Sequence, residues 1–94
     1  MKQLFVYAAD CAIDPIRTGA NIRKLRHERK ISVAKLSNFF LIARNSIYKW
    51  ERGETLPSLD NLYSLAWIFN VTVDELLVGN RNAIDPDRSH IFAA

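Results

Sequence analysis

Between Thr18 and Gly79 the chain is punctuated at short intervals by residues that open helices and residues that close them, and this spacing leaves room only for short helices. Thr18 is a helix-opening residue followed by Ala20, Ile22 and Leu25 at helical spacing, which predicts a first helix from Gly19 to Arg29. Ser32 opens a second, with Val33, Leu36, Phe39 and Phe40 recurring at three to four residues and an end near Phe40. Ile47 and Trp50, three apart and followed by Gly53, place a third helix on Arg44 to Arg52. Leu56 and Pro57 form a connector. Ser58 then caps a fourth helix with the apolar stripe Leu59, Leu62, Leu65, Ala66 and Phe69, closed by Asn70. Thr72 and Glu75 make a capping box for a fifth helix over Val73 to Val78, stopped by Gly79. An all-α domain of five short helices follows.

Its 94 residues suffice for one such domain and exclude two. The sequence divides into an arm at residues 1–17, the helical domain at 18–79 and a tail at 80–94. The arm carries the run Leu4-Phe5-Val6-Tyr7, fit for a strand, a dimer-forming arm or loose chain, and the tail is polar around Pro86 with Ile91-Phe92 near its end. Cys11 is the only cysteine, so no internal disulfide can form and the spacing of a structural zinc site is absent. The apolar stretch from Leu4 to Ala9 is too short for a signal sequence or a membrane span, and the expected compartment is the cytoplasm, of bacterial or phage type. His27 reads as a solvated side chain on a basic helix and His90 falls in the tail. No phosphate-cradling glycine loop and no close acid pair offers catalysis a foothold, so no enzyme, cofactor, metal or small-molecule ligand is expected.

Charge is segregated along the chain. From Arg17 to Arg52 ten basic residues face only Glu28 and Glu51, a net of +8, while the remainder has three basic residues against eight acidic ones, a net of −5. A polyanionic partner for the middle third follows, unless the cations merely form a solvated face. The pair of helices around Leu41 fits the first of these. A major groove admits one helix, and side chains near its N-terminus reach base edges. The third helix opens with Arg44 and Asn45, chemically suited to bidentate pairing with guanine and adenine, and continues with Tyr48, Lys49 and Arg52 on faces that Ile47 and Trp50 leave free.

These residues also carry a resemblance. Thr18-Gly19, Ile22-Arg23-Lys24-Leu25-Arg26, Glu28-Arg29 and Ile31-Ser32 are followed by Ser46-Ile47-Tyr48-Lys49-Trp50-Glu51-Arg52-Gly53 and Leu56-Pro57. Leu59-Asp60-Asn61-Leu62 and Val71-Thr72-Val73-Asp74-Glu75-Leu76-Leu77 complete the set, which resembles the phage-repressor, Cro/XRE-type helix-turn-helix family over about two-thirds of the chain. The resemblance implies a lambda-repressor-like fold that binds double-stranded DNA as a homodimeric transcription regulator, repression being the favoured mode. It implies base reading by Arg44, Asn45 and Lys49, with Tyr48 in addition, and phosphate contact by Arg52; since most protein–DNA hydrogen bonds go to phosphate, Lys35 and Ser46 are expected to meet it too. It also implies that Arg26 and Glu51 form a structural ion pair between helices 1 and 3.

Three positions depart from the family pattern. Leu41 stands where the tight turn usually has glycine, Ala43 where the recognition helix usually has a serine or threonine cap, and Val33 where helix 2 often starts with glutamine. A leucine resists positive φ, which predicts a turn that is rebuilt or displaced by one residue. Ile47, Trp50, Leu36, Phe40, Leu62 and Phe69 are expected in the core. Phe39, Tyr63, Trp67 and Ile68 are expected to form an apolar patch outside it, fit for a dimer interface or for docking of the flanks. Leu41, Ala43 and these aromatics also support the alternative of a helical protein-interaction module, or an antitoxin-type partner, that has lost DNA reading.

Overall fold

The computed structural model describes residues 13–78. The Leu4–Tyr7 run, Cys11, Gly79, His90 and the tail lie outside the described residues. Five helices follow one another, with no strand among the described residues: α1 (Pro15–Glu28), α2 (Val33–Phe40), α3 (Arg44–Arg52), α4 (Leu59–Phe69) and α5 (Val73–Val78).

The bounds of α2 to α5 are those the sequence predicts, but α1 starts four residues early. The Asp14 carboxylate accepts hydrogen bonds from the N–H groups of Ile16 at 3.0 Å and Arg17 at 3.3 Å. Pro15 follows at the first helical position, where a missing N–H costs nothing. Asp14 is therefore the cap, and Thr18 is not. Thr18 lies fully buried one turn into the helix, and its hydroxyl donates to the Leu77 carbonyl at 3.1 Å. Residues Pro15 to Arg17, assigned to the arm from the sequence, belong to α1.

Four of the helices end in one way. Lys30 (φ 55°), Leu41 (φ 56°), Gly53 (φ 74°) and Asn70 (φ 57°) each take the left-handed conformation after α1, α2, α3 and α4. The next N–H then returns to a carbonyl five residues back: Ile31 to Arg26 (2.9 Å), Ile42 to Ser37 (3.1 Å), Glu54 to Lys49 (3.0 Å) and Val71 to Ala66 (2.9 Å). The expectation of a rebuilt turn at Leu41 is thus corrected. The leucine adopts the strained conformation, and the turn keeps its place between α2 and α3.

Helix α1 is the hub. It packs against α3, α4 and α5, while α2 packs on α3 and α4 on α5. Ile22, Leu36, Ile47, Leu65, Phe69 and Leu76 are almost fully removed from solvent at the centre, and the Phe40 ring meets Trp50 edge-on at 5.6 Å. Gly19 permits the closest approach of α1 to α3: a Cβ there would fall on the Trp50 carbonyl oxygen and lie 2.7 Å from that of Glu51. A glycine inside a helix costs about 0.5–1 kcal/mol relative to alanine, and here the contact requires it. At the other end α1 closes α5. The last carbonyls of so short a helix lack partners of their own, and Thr18 takes that of Leu77 while the Asn21 amide donates to Leu76 at 3.0 Å.

Candidate nucleic-acid interface

On α3 the side chains of Arg44, Asn45, Tyr48, Lys49 and Arg52 are exposed, whereas Ile47 and Trp50 are buried and Ser46 and Glu51 are half-buried. At 3.6 residues per turn the five exposed positions fall within an arc of roughly 140°. The apolar pair on the opposite side fixes the helix to the core, so the polar arc must face outward. Ser46 sits on the flank of this arc, its N–H bonded to the Ala43 carbonyl at 3.0 Å. Lys35 is exposed on the first turn of α2, where its N–H donates to Ser32 Oγ at 3.1 Å. Ala43 opens α3 without a side-chain hydrogen bond.

The orientation of α3 is locked from behind. Arg26 of α1 meets Glu51 in a two-pronged pair, Nε to Oε2 at 2.6 Å and Nη2 to Oε1 at 3.2 Å, with side chains only 11% and 5% exposed. The same guanidinium donates to the Ile31 carbonyl at 3.2 Å, so its fork is satisfied on two sides. The hydrogen bond to Glu51 raises the Arg26 pKa above its ordinary value, against the opposing effect of burial.

Not every cation of the basic block is free. Arg29 donates from Nε to the Phe69 carbonyl at 3.0 Å and so closes the end of α4. Arg52 donates from Nη2 to Glu54 Oε2 at 2.9 Å in a solvent-exposed pair. That hydrogen bond, helped by the charge of Lys49, lowers the Glu54 carboxyl below the usual glutamate range.

The residues of the expected aromatic patch come from two helices, α2 and α4. Phe39 stands on α2, edge-on to Phe40 at 5.0 Å, and Ile68 is partly buried against the core. Leu59 is the further correction: placed in the buried stripe of α4 by its spacing, it is 77% exposed. Together with Tyr63 and Trp67, four and eight residues on, it makes an apolar stripe along the outer side of α4. A first-turn residue can match a helical repeat and still overhang the core.

A family model described as a helix-turn-helix domain matches residues 19–81, two-thirds of the chain and all of α2 to α5. The chain belongs to the helix-turn-helix domain family. Within it, the chain is similar to the HTH-type transcriptional activator BcrR of Enterococcus faecalis, 33% identical over 58 residues, which are 62% of this chain and 28% of that protein. It is 38% identical over 58 residues to the HTH-type transcriptional regulator DdrOP3 of Deinococcus deserti, covering 62% of this chain and 45% of the relative. The cryptic phage CTXphi transcriptional repressor RstR of Vibrio cholerae is 29% identical over 66 residues, 70% of this chain and 60% of the relative. The chain thus spans less than two-thirds of the length of each. Among the described residues, no helix is long and apolar enough to cross a membrane.

This helix-turn-helix domain brings the base-facing residues expected from the sequence, Arg44, Asn45, Tyr48 and Lys49, onto one exposed face with Arg52. Lys35 stands apart on α2 and Ser46 is partly withdrawn. Sequence reasoning missed Gly19, Arg29 and Glu54. Arg29 was countable only as a cation, because its carbonyl partner lies forty residues away. For Glu54 a signal existed: an acidic residue two places after the last arginine of a basic helix.

Proposed function

We propose that this helix-turn-helix domain binds double-stranded DNA in a sequence-dependent way as a transcription regulator, with α3 in the major groove. The observation that carries the reading is the exposed arc of α3, whose five side chains are polar or cationic while the opposite face is anchored by Ile47 and Trp50. Arg44, Asn45, Tyr48 and Lys49 read base edges; Lys35, Ser46 and Arg52 meet phosphates and fix the register. Occupancy of a site is enough to block transcription, so repression is the simplest output. The names of the three relatives, an activator, a regulator and a repressor, all belong to transcription control.

The regulator works as a homodimer in the cytoplasm, where its duplex is, its two recognition helices one helical turn or ~34 Å apart. The second copy covers the Leu59, Tyr63 and Trp67 stripe, an exposed apolar surface whose charged neighbour on α4 is the anion Asp60, and so unsuited to DNA. Its role is binding and not catalysis. A protein-interaction module that has lost DNA reading draws its support from Leu41, Ala43 and the extra aromatics. Leu41 takes the left-handed conformation and α3 still starts at Arg44, so the first two do not count against DNA reading, and the exposed aromatics of α4 serve a dimer of a DNA-binding protein equally well.

The test is a salt titration of binding to a mixed-sequence duplex. Affinity is expected to fall with a log–log slope of about −0.9 per phosphate contacted, and a flat response would remove the reading. On sites selected from a random library, replacing Arg44 or Asn45 is expected to relax base preference at a cost of about 1–3 kcal/mol per bidentate contact.

A further inference from the structure

Glu54 is an anion placed against the surface that is meant to receive anions. Its backbone is fixed there, because its N–H closes α3 by bonding to the Lys49 carbonyl at 3.0 Å. Its carboxylate takes Arg52 Nη2 at 2.9 Å, and Lys49 contributes an attractive charge nearby. Stability gives little reason for a carboxylate at this place. The C-terminus of a helix carries partial negative charge and favours a cation, and an ion pair exposed on both sides adds little to a fold.

Resting on the duplex reading above, we propose that Glu54 is a specificity-determining residue: it takes up one donor of Arg52 in the free protein and sets an anion beside the phosphate that this guanidinium would meet. The contact with the backbone of the duplex is thereby weakened, while Arg44 and Asn45, nine or more residues from Glu54 along the chain, keep their full contribution. A smaller sequence-independent term leaves a larger share of the affinity to base contacts.

The experiment compares the full chain with its Glu54→Gln and Glu28→Gln variants, by fluorescence anisotropy on a mixed-sequence duplex across a range of salt. Glu28 pairs with Arg29 at 3.4 Å on the surface of α1, so its replacement makes the same change in net charge away from the α3 arc. Glu54→Gln is expected to bind about two- to fivefold more tightly, the weight of one exposed ion pair, with a salt slope steeper by up to about 0.9. Glu28→Gln is expected to change little. In an Arg52→Gln background the gain from Glu54→Gln is expected to shrink to that of the control. Equal gains from both variants, or weaker binding by Glu54→Gln, overturn the proposal while leaving the duplex reading intact. Loss of salt-dependent binding in the unaltered protein removes both.

Discussion

Leu41 holds a conformation that side chains resist. With φ at 56° its Cβ is pressed toward its own carbonyl, at a cost of about 1–2 kcal/mol, and with 88% of the residue exposed no packing offsets it. The strain is tolerated because the next N–H, that of Ile42, is bound to the Ser37 carbonyl, and Ser37 Oγ in turn donates to the Ile42 carbonyl at 2.6 Å. Glycine at this position would remove the clash but enlarge the freedom of the unfolded chain by about 0.4–1 kcal/mol. The balance favours Leu41→Gly by about 0.5–1 kcal/mol, which for a domain of this size is a rise in Tm of several degrees. Thermal melts followed by circular dichroism check it; an unchanged or lower Tm would mean that the leucine makes a contact the exposure does not reveal. Ala43 offers a second gain. Ala43→Ser supplies the side-chain acceptor that α3 lacks, and about 1 kcal/mol of added stability is expected in urea titration.

Between elements, the decisive bond is the one that ties α3 to α1. Arg26 keeps its Ile31 contact if Glu51 is lost, but two of its hydrogen bonds would then have no partner in a site that is nearly closed to water. Glu51→Ala is therefore expected to cost about 3–5 kcal/mol, seen as a sharp fall in Tm; an unchanged melt would show that the pair does not hold the fold. The elements themselves were largely legible in the sequence. Caps at Ser32, Ser58 and Thr72 and breakers at Gly53 and Asn70 marked α2 to α5, because local hydrogen bonds decide those ends. Thr18 misled because it is a good cap by type, and only its distance-spanning bond to Leu77 reveals that it lies inside α1. At Lys30 and Leu41 the residue type argues against the left-handed backbone, and the hydrogen bonds that close α1 and α2, from Ile31 to Arg26 and from Ile42 to Ser37, overrule it. The α3 arc was readable from the positions of Ile47 and Trp50, whereas the partners of Arg29 and Arg52 depend on where the chain returns.

Across the whole molecule two surfaces compete for attention, and their chemistry separates their partners. The α3 arc is cationic and suits a duplex; the α4 stripe is apolar, with Leu59, Tyr63 and Trp67 exposed by 77%, 69% and 76%. With about 150–250 Å² for each aromatic ring when fully buried, the stripe offers roughly 400–500 Å² per copy. A stable interface takes about 800 Å² from each partner, so the stripe alone supports a weak dimer that a shared duplex would reinforce. A twofold axis at Tyr63 would make such an interface self-complementary, setting Leu59 of each copy beside Trp67 of the other in antiparallel α4 helices. Sedimentation of the full chain is expected to show a concentration-dependent approach to dimer, and Trp67→Glu to remain monomeric with an unchanged melt, because its side chain supports no core. The same variant should still bind a single half-site, since α3 is untouched, but lose cooperative binding to a pair of half-sites one turn apart. A dimer that survives Trp67→Glu would place the contact elsewhere, and an unaltered protein that stays monomeric at every concentration and binds paired half-sites independently would sever this surface from DNA recognition altogether.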